Sequence, residues 1–426
     1  MSYLSMSKEE LNKELDALKA EYEQKCGLGL KLDMSRGKPD ASQLDLSMGL
    51  RDVLNGDSLI SENGTDCRNY GVLDGISEAK KLMGAMMGAD PKNVIVCGVS
   101  SLNIMYDTVS RSMTHGVCGS TPWMKLDKPV KFLCPVPGYD RHFAITEFFG
   151  IEMINIPMDE NGPDMELVKK YAENDPYVKG VWCVPKYSNP GGISYSDEVV
   201  RAFAALKPAA EDFRIFWDNA YCIHHLYETE DEILNILDEC KNSGNEDMVY
   251  EFASTSKVTM PGSGISAVAA SDKNIEFIKK QMTIQTIGHD KINQLRHVKF
   301  FGDIDGMKAH MKKHAELIRP KFELVLNALE KEIKPLGIGT WVKPHGGYFI
   351  SFNTIDGCAK RVVALCREAG VTMTGAGASY PYGKDPEDKN IRIAPTFPTL
   401  AELEQACEIF VLCVKIAGAE KILETK

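Results

Sequence analysis

MVYEFASTSKVTMPGSGISAVAAS, residues 248–271, decides how this chain is read. It is an apolar run, a turn that carries one lysine, and a second apolar run. The two runs, MVYEFAST from 248 and ISAVAAS from 265, have the length and composition of strands buried on both faces. Between them, STSKVTMPGSG (Ser254–Gly264) holds Lys257 with no other charge, among hydroxyl side chains and ahead of a Pro-Gly turn. A lysine is ordinarily a solvated surface residue. A lysine whose pKa is lowered by its site can instead form a Schiff base with a carbonyl. The rest of the chain has to decide between the two.

Working outward, the same strand pattern recurs from about residue 90. VIVCG at 94, VKFLCPVPGY at 130, IEMINIPM at 151, VWCVPKYSNP at 181 and RIFWDNAY at 214 are apolar runs, and helical patterns such as DEVVRAFAALKPAA separate several of them. Apolar strands that alternate with helices predict an α/β fold: a mostly parallel central sheet with helices on both faces. The last third differs. It has a long amphipathic helix from about 305 to 332, then a mixed region containing WVKPHGGYFISF and NIRIAPTFP, which reads as a smaller α+β domain. Near the N-terminus, Ser7-x-x-Glu10 is a capping box, and Leu11, Leu15, Leu18 and Tyr22 follow at helical spacing. The expected division is 1–55 as an N-terminal helix and arm contributing to the small domain, 56–305 as the large α/β domain, and 306–426 as the small one.

Bulk numbers narrow the function. The 426 residues are 44% hydrophobic, enough for sizeable cores. Basic residues number 49 against 60 acidic, a formal charge of −11, which argues against a nucleic-acid surface as the main business. No apolar stretch is long enough for a membrane span, and the polar N-terminus lacks a signal-peptide core. The twelve cysteines are scattered, with no C-x-x-C pair or cysteine-histidine cluster, so a cytoplasmic protein with reduced thiols and no metal site is expected.

Open α/β sheets bind ligands beyond the carboxyl ends of their strands. After VIVCG comes Gly98-Val-Ser100-Ser101-Leu102, opening a helix; free N–H groups and hydroxyls there suit a phosphate, although an ordinary helix cap uses the same residues. After VKFLCPVPG comes Tyr139, a ring that either stacks on a planar ligand or belongs to the core. After VWCVPKYS comes Asn189 in a Pro-Gly-Gly turn. After RIFW come Asp218 and Tyr221; an acid directly behind an apolar strand is costly unless paired. After MVYEFA come Ser254 and Lys257. Each has a bland reading alone. Together they set a phosphate cradle, a ring, an amide, a carboxylate, a phenol and a lysine along one sheet edge, which is what pyridoxal 5'-phosphate needs. GSGISA at 262–267 loosely fits a dinucleotide motif but leads into a strand, and His224-His225 lacks a metal-binding partner set, so both histidines are expected to be satisfied or exposed.

The order of motifs resembles the fold-type I, class I/II pyridoxal-phosphate-dependent aminotransferases, and within them the aspartate aminotransferase subgroup typified by corynebacterial enzymes and also labelled MocR-like. SRGKP at 35–39, NYGVLDG at 69–75, GVSSLNIMYD at 98–107, PVPGYDRHF at 135–143, YSNPGG at 187–192, WDNAY at 217–221, STSK at 254–257, IGHDKINQLRH at 287–297 and NIRIAPTFP at 390–398 carry it. The resemblance implies that Lys257 is the Schiff-base lysine and Asp218 the partner of the pyridine nitrogen. It implies that Tyr221 and Asn189 bond the ring oxygen, that Tyr139 stacks on the ring, and that Ser100, Ser101, Leu102 and Ser254 bind the phosphate. Tyr70 would reach the phosphate of a second subunit, making a homodimer with shared sites. Arg392 would clamp the substrate α-carboxylate, with Gly37 and Arg36 beside it. One departure stands out: Ile265 occupies the position, eight residues after the lysine, where many relatives carry a phosphate-binding arginine. Ser263 is the expected neutral substitute.

The implied activity is transfer of an amine between amino acids and 2-oxo acids in a ping-pong cycle, with L-aspartate and 2-oxoglutarate the preferred pair. A dicarboxylate needs a second cation, for which Arg36, Arg141, Lys291 and Arg296 are candidates. Trp123, Phe397 or Tyr380 would supply a hydrophobic pocket for other donors. The alternatives are an aminotransferase of aromatic, branched or 2-aminoadipate-like substrates, a β-lyase on the same fold, or a non-catalytic MocR-type sensor. The last needs a further N-terminal domain, and SRGKP begins at residue 35.

Overall fold

The structure, a computed structural model, describes residues 2–426. In chain order its strands are β1 (Leu32–Asp33), β2 (Val94–Cys97), β3 (Lys131–Val136), β4 (Glu152–Asp159), β5 (Gly162–Pro163), β6 (Val178–Cys183), β7 (Arg214–Asp218), β8 (Val249–Ser254), β9 (Ser266–Ala270), β10 (Gly339–Trp341), β11 (Ile350–Thr354), β12 (Val371–Thr372) and β13 (Asn390–Ile393). Eight of them form one sheet in the order β2-β9-β8-β7-β6-β3-β4-β5. Neighbours from β8 to β4 pair in parallel, and β9 runs antiparallel between β2 and β8. Because β9 opposes both, β2 points the same way as β8. Six carboxyl ends therefore share one edge of the sheet.

All seven of the apolar runs read as strands from 94 to 270 are strands, and β2, β6, β7 and β9 are buried at every position. They are mostly apolar because helices cover both faces, leaving no solvent side to make the pattern alternate. Aromatic residues fill one face: Phe132 contacts Trp123, Trp182 and Phe216 at centroid distances of 5.4–5.8 Å. Trp123 thus lies in the core, with its indole N–H on Asp212, rather than beside a substrate.

The remaining strands lie elsewhere. β10, β11 and β13 form an antiparallel sheet, and β1 pairs in parallel with β12, tying residue 32 to residue 371. The capping box at Ser7 is formed and opens the helix Lys8–Cys26, whose Leu11, Leu15 and Leu18 are buried. That stripe packs on the C-terminal helix Leu400–Thr425 of its own chain. The long helix predicted from about 305 runs Ile304–Glu332, with Pro320 inside it. Among the described residues no helix is long and apolar enough to cross a membrane.

Candidate active site

A cavity of about 270 Å³ opens at the shared carboxyl edge. Its walls include Ser100, Ser101 and Leu102 after β2, Tyr139 after β3, Asn189 after β6, Asp218 and Tyr221 from the end of β7, and Ser254 and Lys257 from the end of β8. Nine residues singled out in the sequence thus meet in one hollow. Ser256 and Pro261 line it as well, and neither was anticipated. The alternation Ser254-x-Ser256 on one turn was the available signal: the two hydroxyls lie 3.1 Å apart.

Each side chain is held by its local fold. Ser100 caps the helix Ser101–His115, its Oγ accepting from the Leu102 N–H at 3.2 Å, so the helix N-terminus points its remaining donors at the cavity. Asp218 is 2% exposed; His142 Nε2 lies 2.9 Å from its Oδ2, while Oδ1 is buried without a protein partner. His142 is fixed in turn by stacking on Trp182, with ring centroids 4.4 Å apart and planes 11° apart. Tyr139 stands edge-on to His142 at 4.9 Å. Burial, with the Asp218 and Asp140 charges, pushes its phenol up to about 12. Burial likewise holds the Tyr221 phenol well above its ordinary value.

Lys257 is half-buried, and its Nζ lies 5.1 Å from the Tyr221 ring centroid and 5.9 Å from that of Tyr348. Among the described residues it has no ion-pair partner. Burial lowers its pKa, and the Arg392 charge lowers it further against the opposing pull of Asp218. An amine in this setting sheds its proton more readily than a surface lysine, as a nucleophile toward a carbonyl must. The turn is braced from behind by histidines: His297 Nε2 is 3.2 Å from Thr255 Oγ1 and 3.1 Å from Thr259 Oγ1, and His310 Nε2 is 2.9 Å from the Val258 carbonyl.

Arg392, on β13, joins the site from the small antiparallel sheet. Its Nη1 is 2.7 Å from Asp140 Oδ1 and 3.4 Å from Asn189 Oδ1, and its guanidinium lies 4.9 Å from the Phe349 ring centroid. Gly37 sits beneath that ring: a Cβ there would fall 2.3 Å from Phe349 Cζ, so only glycine fits. Arg36 is exposed.

Other expectations are corrected. Ser263 does not line the cavity; its carbonyl accepts from Asn293 Nδ2, and Ser256 stands nearer the cradle. Ile265 is 1% exposed and packed in the core, because its side chain faces away from the cavity. No arginine lines the hollow, so hydroxyls and the helix N-terminus make up the cradle. Tyr70, expected to reach a second subunit, is 82% exposed and does not line this chain's own cavity, which leaves that expectation as it stands. Lys291 is buried with its Nζ on the Gly71 carbonyl. Phe397 lies under the Lys38 ammonium, and Tyr380 packs on the aromatic core. His224 is neither satisfied nor exposed. It is 2% exposed with both ring nitrogens unpartnered, and burial holds it well below its ordinary pKa. It lies edge-on to Tyr221 and Tyr348, whose packing shuts water out.

The donor set fits pyridoxal phosphate: an isolated lysine, a buried acid with one open oxygen, a phenol, an amide and a hydroxyl-lined helix end. Fold and cavity together define a fold-type I pyridoxal-phosphate enzyme. The sequence profile described as "Aspartate amino-transferase" matches residues 6–426. An aspartate aminotransferase of Corynebacterium glutamicum is 43% identical over 97% of this chain and 94% of its own length. The crystal structure of an aspartate transaminase from the same species superposes with a TM-score of 0.95 at 42% identity, covering 99% of both chains. A Thermus thermophilus α-aminoadipate aminotransferase, LysN, solved with N-(5'-phosphopyridoxyl)-L-leucine, shares the fold alone, with a TM-score of 0.71 at 15% identity over 92% of this chain and 93% of its own. The chain belongs to the aspartate aminotransferase family. It is a pyridoxal-phosphate-dependent aminotransferase of the corynebacterial type.

Proposed function

We propose that this aminotransferase moves the amine of L-aspartate to 2-oxoglutarate, in two half-reactions at the Lys257 cavity. The observation that carries the proposal is that Lys257, Asp218 and Asn189 line one hollow and Arg392 reaches its wall through Asn189, in a chain 43% identical to an enzyme named aspartate aminotransferase.

Bound there, pyridoxal phosphate supplies an aldehyde that takes up the amine and a ring that accepts the electrons of the Cα–H bond. The chain does the rest. Ser100, Ser101, Ser254 and Ser256 hold the phosphate with neutral donors. Asp218 Oδ1, buried without a protein partner, would hold the proton on the pyridine nitrogen. Tyr221 and Asn189 donate to the ring oxygen, and Tyr139 covers the ring. Arg392 takes the α-carboxylate on its free N–H groups, beside Gly37. Lys257 Nζ would hold the cofactor's aldehyde and, as a free amine, would move the Cα proton. Arg141 is our choice for the second carboxylate. It follows Asp140 on the same helix and lies close enough to pull down the Tyr139 phenol.

The homodimer with shared sites and the cytoplasmic setting belong to the same proposal. Exposure of Tyr70 favours the first, and twelve free cysteines favour a reducing compartment. So does the division 1–55, 56–305 and 306–426, which keeps the eight-stranded sheet in one unit and pairs β1 with β12 in the other.

The test is an absorption spectrum before and after L-aspartate alone. Loss of the lysine-bound cofactor's band with release of oxaloacetate supports the reading. A band that aspartate leaves unchanged moves the donor elsewhere, and ammonia with pyruvate from an amino acid that carries a leaving group on Cβ would mean elimination. A band that survives in Lys257→Ala would sink the lysine's assigned role.

A further inference from the structure

The guanidinium assigned above to the substrate's α-carboxylate already carries a carboxylate of the protein. Asp140 Oδ1 lies 2.7 Å from Arg392 Nη1. The other contacts are long: Nη1 to Asn189 Oδ1 and Nε to Thr374 Oγ1 are both 3.4 Å. Nη2 has no hydrogen-bond partner among the described residues. The two members of the pair differ in their surroundings. The Arg392 side chain is 9% exposed and lies over Phe349, whereas the Asp140 side chain keeps 33% of its surface open. An arginine buried to that degree is unfavourable without a counter-charge. A one-third-open aspartate can return to water at little loss.

We infer that Asp140 is a positioning residue that stands in for the substrate, neutralising Arg392 in the empty site and giving way when a ligand carboxylate arrives. The inference rests on the reading of Arg392 as the α-carboxylate clamp. Amino and 2-oxo carboxylates then bind by exchanging one carboxylate for another. Two consequences follow. The clamp stays aligned and desolvated while empty, and a lone inorganic anion gains too little from one contact to displace Asp140. The arrangement also moderates the field at Lys257, where the Arg392 charge acts to lower the amine's pKa.

The test is calorimetric titration of the cofactor-loaded enzyme with maleate, a dicarboxylate without an amine, at low and raised chloride. Asp140→Asn and Asp140→Ser are compared with the native enzyme, alone and in an Arg392→Lys background. Running both Asp140 variants guards against one failing to fold. Removal of the internal competitor tightens maleate roughly threefold to tenfold, the range for a partly exposed charge pair. It also makes chloride a stronger competitor, and both effects disappear in Arg392→Lys. A purely structural role predicts the opposite sign, because a misaligned clamp binds more weakly. Unchanged or weakened maleate binding in the Asp140 variants, with Arg392→Lys itself impaired, overturns the inference and leaves the clamp standing. An Arg392→Lys enzyme that binds maleate as the native one does overturns the clamp, and the inference with it.

Discussion

Acid should loosen the lysine turn before it loosens the sheet, because the histidines that brace that turn are buried in their neutral form. His297 is 0% exposed and His314 is 1% exposed, and burial pushes each down to about 4 from 6.5. His297 bonds the hydroxyls of Thr255 and Thr259 on either side of Lys257. His314 Nε2 lies 3.0 Å from His310 Nε2, which reaches the Val258 carbonyl. The folded pKa values lie below the unfolded one, so the unfolded chain binds more protons as pH falls. This contribution to stability is intact above pH 6.5, declines as pH drops through 6.5, and is fully lost only below about 4. Between pH 8 and pH 5 each group loses about 2 kcal/mol, at about 1.4 kcal/mol per unit of difference, or about 4 kcal/mol for the two. An unfolding entropy of about 2.1 cal/mol/K per residue over this length makes 1 kcal/mol worth about 1 °C in Tm. Scanning calorimetry of native enzyme and His297→Gln at pH 8 and pH 5 isolates one group, since every other titration is common to both. The native protein's loss of Tm on acidification should exceed the variant's by about 2 °C. An equal loss, or a larger one in the variant, would refute the assignment of His297 as a buried neutral brace.

Other outcomes follow from the same geometry. Arg392→Lys removes the planar fork and should lower kcat/KM for aspartate roughly a hundredfold or more, about the worth of one charge-assisted hydrogen bond, read by steady-state kinetics. Gly37→Ala would press a methyl into the Phe349 ring beneath Arg392, where the gap is 2.3 Å. KM for both substrates should rise about tenfold, with a destabilisation of about 1–3 kcal/mol. Ser256→Ala removes a cradle hydroxyl and should weaken pyridoxal phosphate binding roughly threefold to tenfold, as expected for one hydrogen bond, in a fluorescence titration. Ile265→Arg should lower Tm without tightening the cofactor, because the side chain at 265 is 1% exposed and faces the core.

Two kinds of element were legible: the strands of the central sheet, most of them buried, and helices with a cap or an apolar stripe, such as Lys8–Cys26. β6, β7 and β9 are buried at every position and mostly apolar because both faces are covered, and the residues that line the cavity come where a strand leaves the sheet. That is why Asn189, Asp218 and Lys257 stood out. The reverse direction of β9 was not legible, since an apolar run has no polarity along the chain. The C-terminal helix, with 14 buried positions distributed all round it, offers no amphipathic stripe to detect. Pairings over long separations were out of reach too: Asp140 and Arg392 are 252 residues apart, and only the folded chain brings them together. Ser263 is the donor that the turn before Ile265 suggests, but the side chain that lines the cavity is Ser256, on the turn that carries the lysine.

One short piece of helix links what would otherwise be separate functions. Tyr139 caps the helix Asp140–Phe148, and its first turn carries Asp140 on the clamp and His142 on the acid behind the ring. Residues of one helical turn move together, because their backbone hydrogen bonds fix their mutual geometry. The His142 N–H donates to the Tyr139 carbonyl at 3.1 Å, closing that turn. Release of Asp140 from Arg392, as proposed above, would therefore act on the same turn that carries His142. Among the described residues His142 is the one side chain bonded to Asp218. On the proposed roles, the carboxylate clamp and the acid facing the pyridine nitrogen would thus be tied to one short helical turn.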